Sequence, residues 1–145
     1  MKIDLLSNLT GKVVTKCIAG GSNGSIIVLD IGSDEFTLFI YCSWRISKES
    51  KILATWNDNN DPDSGNLTLE AKKLEGELIK EIKQTNFYDL EILFMSHKVL
   101  QIFADVFNKG YEDENASENW SLGDKKNDIN YSVTSNFEVH TSKYF

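Results

Sequence analysis

The side chains best suited to catalysis are few and lie far apart in this sequence. His97 and His140 each lack a second histidine or a cysteine nearby in the chain. No serine stands in a nucleophile elbow, and no glycine-rich phosphate loop occurs. We therefore expect a protein that is not an enzyme and needs no cofactor. A hydrolase, the third possibility, would need His97 or His140 in a cleft beside carboxylates.

One acidic segment has the ligand spacing of a calcium loop. Oxygen-bearing side chains stand at positions one, three, five and twelve: Asn59, Asp61, Asp63 and Glu70. However, a proline holds position four, and Ser64 replaces the glycine that makes the sharp turn. The sequence predicts a solvated acidic loop here and no metal site.

The charge of the chain is acidic and unevenly distributed. Its 15 basic and 22 acidic residues give a net charge of −7. Residues 1–56 hold six basic and five acidic residues, whereas residues 57–145 hold nine and seventeen. A negative field repels phosphate backbones, so we expect no direct binding to nucleic acid.

The composition predicts a soluble protein with a core of its own. Hydrophobic residues make up 41% of the 145-residue chain, and no apolar run is long enough for a membrane helix. The length of the chain predicts one domain, residues 1–145. The first residues do not form a secretory signal, so we expect the protein in the cytoplasm, with no membrane partner. Cys17 and Cys42 lie in apolar runs, where free cysteine usually acts as a small buried hydrophobe.

Two stretches of the chain repeat each other, at about residues 9–46 and 74–122. An offset of 65 pairs Leu9 with Leu74 and Gly11 with Gly76. If the next turn is one residue shorter in the second stretch, the offset becomes 64 for the later pairs. These include Val28/Ile92, Leu29/Leu93, Phe36/Leu100 and Leu38/Ile102. Each stretch then reaches a tryptophan, Trp44 or Trp120, the second after an insertion of twelve residues.

Each repeat reads as an antiparallel β-meander of short strands separated by turn residues. Residues 51–56, 131–134 and 137–140 predict further strands. Residues 69–83 have helical periodicity, but Gly76 and the repeat favour a strand over residues 77–83 and at most a helical turn over residues 69–74. We therefore predict a mostly β fold, with α+β as the alternative, in which the two units form a sandwich or one curved sheet.

The tryptophans and the acidic clusters receive different interpretations. Trp44 and Trp120 are predicted to close the core, with each indole N–H bonded to an acceptor. The acidic clusters lie outside the repeated strands, where a partner-specific surface can vary at little cost to the core. Their members are the candidate partner-binding residues: Asp58, Asp61 and Asp63 in one loop, and Glu112, Asp113, Glu114 and Glu118 in the insertion.

Three short motifs carry a family resemblance: Leu74-x-Gly76, Asp89-Leu90-x-Ile92-x-Phe94 and Glu118-Asn119-Trp120-x-Leu122. In a two-unit meander they resemble small bacterial immunity proteins found beside polymorphic and contact-dependent inhibition toxins. The resemblance implies a cytoplasmic inhibitor that binds one toxin domain without catalysis or cofactor.

The acidic charge fits the same function, because toxins that act on nucleic acid need basic clefts. The first hypothesis is therefore an immunity protein that blocks the active site of a cognate, basic nuclease toxin with its acidic loops. The alternative is a non-catalytic structural or homo-oligomerising β domain, whose exposed apolar sheet face would meet a second copy. The sequence does not specify the oligomeric state.

Overall fold

A computed structural model describes residues 3–106 and 117–144 of the chain. Within these residues the protein is mostly β, which confirms the predicted class, and its strands form two antiparallel sheets as in a β sandwich.

The six-stranded sheet keeps its strands in chain order but omits the five strands between its third and fourth members, which form the second sheet in a different order. The first sheet has six strands: β1 (Val14–Ile18), β2 (Ile27–Ile31), β3 (Phe36–Ile40), β9 (Glu118–Asp124), β10 (Ile129–Thr134) and β11 (Val139–Ser142). The second has five: β5 (Lys51–Thr55), β4 (Ser43–Lys48), β8 (Lys98–Phe103), β7 (Leu90–Phe94) and β6 (Ile79–Gln84).

Short helical segments precede the first strand of each repeat. A 3₁₀ helix, Asp4–Leu9, leads to β1 and packs against β6, whereas the helix α1, Asn66–Lys72, leads to β6 and packs against β1. A second 3₁₀ turn, Gly21–Asn23, lies between β1 and β2. The strand predicted over residues 77–83 is confirmed as β6, because Gly76, with φ of +88°, separates it from the helix. None of the helices in the described ranges is long and apolar enough to cross a bilayer.

The starts of the two repeats face each other in a symmetric set of backbone hydrogen bonds. The N–H of Gly11 donates to the carbonyl of Ile79 (2.8 Å), and the N–H of Gly76 donates to the carbonyl of Val14 (2.8 Å). Val13 and Leu78 form an antiparallel bridge between these bonds. Since each of these positions in the second stretch lies 65 residues after its counterpart, the two segments are related by an approximate twofold axis at this bridge.

The two repeats exchange their last strands. After β3 the chain crosses to the other sheet, where β4 pairs with β8 and places Trp44 opposite Ile102. After β8 it crosses back, where β9 pairs with β3 and places Trp120 opposite Ile40. Each sheet therefore combines three strands of one repeat with the final strands of the other.

The strand registers correct the alignment made from sequence. Cys17 lies opposite Leu29, and Ile82, 65 residues later, lies opposite Ile92, so Leu29 is equivalent to Ile92. The pairs Val28/Ile92 and Leu29/Leu93 are therefore wrong by one residue, a slip that exchanges the buried and outer faces of a strand.

The next strand is displaced further. Leu38 lies opposite Leu122, and Leu100 lies opposite Ile46, so Leu38 is equivalent to Leu100. The pairs Phe36/Leu100 and Leu38/Ile102 are thus wrong by two residues, because both turns of the second repeat are shorter than the alignment allowed.

The two tryptophans occupy equivalent core positions, which confirms their predicted role. Trp44 and Trp120 are both fully buried. The indole N–H of Trp44 donates to the carbonyl of Ser25 (2.7 Å), and that of Trp120 donates to the carbonyl of Tyr88 (2.8 Å). A buried indole that keeps its hydrogen bond contributes its large apolar surface without leaving a polar group unpaired.

Both cysteines are free and buried, also as predicted. Burial, together with the nearby carboxylate of Glu75, raises the pKa of Cys17 to about 12. Burial, together with the carboxylate of Asp105, raises the pKa of Cys42 to about 12. Neither thiol therefore ionises near neutral pH, and we assign both a packing role.

Candidate protein-binding surface

The acidic loop, residues 57–65, is organised by one of its own carboxylates. An oxygen of Asp61 accepts hydrogen bonds from the backbone N–H groups of Asp63 and Ser64, both 2.9 Å, and from the Ser64 hydroxyl at 3.1 Å. These hydrogen bonds lower the pKa of Asp61, and the two backbone N–H groups contribute more than the hydroxyl. A carboxylate at this position of a turn fixes the backbone, so Asp61 shapes the loop that carries its neighbours.

The other two predicted carboxylates of this loop differ in their surroundings. Asp58 accepts hydrogen bonds from the backbone N–H of Thr55 (2.8 Å) and from the amide of Asn66 (3.3 Å). Asp63 is exposed, and its carboxylate accepts no hydrogen bond within the described ranges. Asp61 and Asp63 are both exposed, and of the two Asp63 is the one whose carboxylate has no role in holding the loop together.

The middle of the acidic loop is held by hydrogen bonds to two neighbouring segments. The N–H of Gly21 donates to the carbonyl of Asn60 (2.7 Å), and the hydroxyl of Thr68 donates to the carbonyl of Asp61 (2.7 Å). The chain also packs closely at Gly65, where a Cβ would clash with the backbone of Asn59 and Asp61. The loop is thus a fixed feature of the surface, and a fixed loop loses little entropy on binding.

The second acidic cluster lies only partly in the described structure. Glu112, Asp113 and Glu114 lie outside the described residues. Glu118 was predicted to belong to the insertion, but it is the first residue of β9, where it pairs with Thr134. It is half-buried beside Tyr41. Burial is the main cause that raises the pKa of Tyr41, and the negative charge of Glu118 raises it further.

The neighbouring residue Asn119 joins the two ends of the insertion. Its side-chain oxygen accepts a hydrogen bond from the N–H of Val106 (2.9 Å), and its amide donates to the carbonyls of Val106 (3.1 Å) and Thr134 (3.3 Å). The side chain is fully buried. Asn119 belongs to the motif Glu118-Asn119-Trp120-x-Leu122, but the motif did not predict these hydrogen bonds.

A surface notch, also unforeseen, lies beside the acidic loop. It has a volume of about 310 Å³ and is formed by the end of β1, by α1 and by Pro62 of the loop. Ile18 and Leu69 on its rim are 42% and 46% exposed. We call this feature the apolar notch; the residues that line it are Cys17, Ile18, Ala19, Pro62, Thr68, Leu69 and Lys72.

The histidines do not form a catalytic cleft within the described part of the chain. His97 is exposed in the turn between β7 and β8. His140 is exposed on β11, with its Nε2 3.1 Å from the carboxylate of Glu138. Four surface cavities formed by described residues contain neither histidine in their walls.

Potential metal ligands do not cluster in the same part of the chain. Among the described residues, no group of three or more histidine, cysteine, aspartate or glutamate side chains is arranged to hold an ion. In the loop with calcium-like spacing, one oxygen of Asp61 instead accepts hydrogen bonds from within the loop.

Comparison with protein families, with curated proteins and with solved structures gives no match for this chain.

Proposed function

We propose that this protein is a cytoplasmic immunity protein that binds a cognate toxin domain and blocks its active site. The toxin is a basic nuclease, because a cleft that holds nucleic acid is positively charged and attracts acidic loops. The observation that carries the proposal is the acidic loop, which is fixed by Asp61 and presents the open carboxylate of Asp63.

The position of the carboxylates supports a binding function. The acidic loop connects β5 to α1, and residues 104–117 connect β8 to β9, so both segments lie in connections between the strands that form the core. Loops of this kind can be fitted to one partner without changing the core. Charge complementarity would raise the association rate and make it sensitive to salt.

The test is a titration of the toxin domain encoded beside this gene, with nuclease activity and binding kinetics as readouts. We expect Asp63→Asn to lower the association rate severalfold at low salt, because a rim charge acts mainly on that rate. Glu81→Gln, which removes an exposed carboxylate from β6, is the matched control and should leave the rate unchanged.

A parallel variant with Glu112, Asp113 and Glu114 changed to Ser examines the insertion. An unchanged association rate in this variant would remove the insertion from the proposed surface. If the unmodified protein neither binds the toxin domain nor inhibits it, the proposed function is wrong.

Self-association is the second candidate function, and one group of exposed residues favours it. Val13, Leu78 and Met95 are 39%, 36% and 52% exposed, and they lie together where the edges of the two sheets meet. Light scattering over a range of concentrations tests it, with Met95→Gln as the variant. A monomer at all concentrations would contradict self-association.

The outer face of the five-stranded sheet does not favour self-association. A row of polar side chains crosses it in register: Arg45, Gln101, Glu91 and Lys83. The guanidinium of Arg45 donates two hydrogen bonds to the side chain of Gln101, at 3.0 and 2.7 Å. This polar row makes an apolar contact between two such faces unfavourable.

A further inference from the structure

The fold builds the same surface notch twice. The apolar notch lies between β1 and α1, and a second notch of about 340 Å³ lies between β6 and the 3₁₀ helix Asp4–Leu9. Their walls correspond at the offset of 65 residues: Cys17 to Ile82, Ala19 to Gln84, Leu69 to Asp4 and Lys72 to Ser7. The two notches are therefore equivalent under the approximate twofold axis.

The two notches differ in chemistry. In the second, the side-chain oxygen of Gln84 accepts a hydrogen bond from the N–H of Ile3 (3.0 Å), and Asp4 and Ser7 line its edge. In the apolar notch, Ala19 and Leu69 replace Gln84 and Asp4. The second notch is the more polar of the two, although Ile3, Leu6 and Ile82 also line it, and it contains an internal hydrogen bond. The apolar notch presents Ile18 and Leu69 to solvent.

The charges around the apolar notch are also unequal. Lys72 pairs with Glu75 (2.8 Å), and Lys73 pairs with Glu70 (3.0 Å), so each lysine at the end of α1 already has a carboxylate partner. Pro62 of the acidic loop lines the notch, and the next residue, Asp63, is exposed with no ion-pair partner among the described residues. The exposed carboxylate beside Pro62 therefore favours a positively charged group on a partner.

We propose that the apolar notch receives one aliphatic side chain of the toxin domain, next to a lysine or arginine that meets the acidic loop. This inference rests on the proposed function and adds the chemistry of the contact. A volume of about 310 Å³ lies at the small end of binding pockets, which suits a single side chain. An apolar centre with a polar, charged rim is the usual anatomy of a protein–protein interface.

The experiment measures the affinity of the adjacent toxin domain for two notch variants, Ile18→Thr and Leu69→Gln. Threonine keeps the branched shape that suits a strand, and glutamine keeps the helix propensity of leucine. Two exposed apolar residues outside the notch give matched controls, Ile52→Thr and Phe87→Gln. Thermal unfolding of all four variants verifies that they fold.

We expect each notch variant to bind the toxin domain about 10- to 30-fold more weakly, as for loss of a hot-spot side chain. The loss should appear in the dissociation rate, and the dependence of the association rate on salt should not change. Asp63→Asn should give the opposite pattern. The two control variants should remain within about twofold of the unmodified protein.

The outcomes separate this inference from the function on which it rests. If the toxin domain binds but Ile18→Thr and Leu69→Gln bind as tightly as the controls, the notch is not the contact and the inhibitor function stands. If the unmodified protein does not bind the toxin domain, both proposals fail together.

Discussion

Asn119→Ala tests whether a single buried amide holds the base of the acidic insertion. The alanine removes every side-chain hydrogen bond of Asn119 and leaves the N–H and carbonyl of Val106 without that partner. Thr134 is less affected, because its carbonyl also accepts the N–H of Phe137 (2.9 Å). The two Val106 groups therefore determine the cost.

The expected loss follows from these two groups. An unpaired buried polar group costs about 1–3 kcal/mol, and the partial exposure of Val106 lets water recover part of this, so we expect about 2–3 kcal/mol. With an m value of about 2 kcal/mol/M, the midpoint of urea unfolding should fall by roughly 1–1.5 M. Under the proposed function, binding of the toxin domain should weaken as well, because the variant would have to order the insertion on contact.

Ser43→Ala is the matched control, because Ser43 precedes Trp44 as Asn119 precedes Trp120. It should change the free energy of unfolding by no more than about 0.5 kcal/mol. Equal, small effects of the two substitutions would refute the reasoning, since they would show that the hydrogen bonds of Asn119 do not hold the insertion.

Three further predictions concern other parts of the fold. Gly11→Ala and Gly76→Ala should each cost about 1 kcal/mol in urea unfolding, because both glycines have positive φ and open space around the Cβ position, and clearly unequal costs would contradict their equivalence. Gly65→Ala should cost about 1–3 kcal/mol and disturb the amide signals of the acidic loop, and unchanged signals would show that the close packing there is not needed. Neither Cys17 nor Cys42 should react with a thiol reagent at pH 8 until the protein unfolds, because both pKa values are raised to about 12. The unfolded thiols ionise at a lower pH than the folded ones, so the free energy of unfolding should fall only as pH rises above about 9.

The sequence predicted the strands well wherever a local pattern determined them. Residues 77–83 show why a local pattern alone was not enough, since their spacing favours a helix but their counterparts in the first repeat are β-branched. The structure has a strand there because Gly76, at positive φ, ends the preceding helical segment. The last hairpin was placed two residues early: β11 begins at Val139, because Phe137, with φ of +58°, belongs to the turn.

Contacts between distant residues could not be predicted in this way. The exchange of β4 and β9 between the sheets depends on which strands pair, and strand patterning does not encode the partner. The slip of one residue at Ile92 followed from turn lengths, which a single sequence does not determine. The apolar notch needs α1, β1 and the acidic loop together, so no single stretch of sequence could reveal it.

The differences between the two repeats locate the surface that can be specific for a partner. The link from β3 to β4 is only Tyr41 and Cys42, whereas the equivalent link from β8 to β9 spans residues 104–117 and contains an acidic run. After β5 the acidic loop extends to α1, but after β10 a short turn leads directly to β11. A feature present in both repeats is explained by the fold alone, as for the paired glycines and tryptophans. The acidic loop, the insertion and the apolar rim at Leu69 each occur in one repeat only, so the fold does not require them. They are the places where a surface for a partner can be built without changing the core.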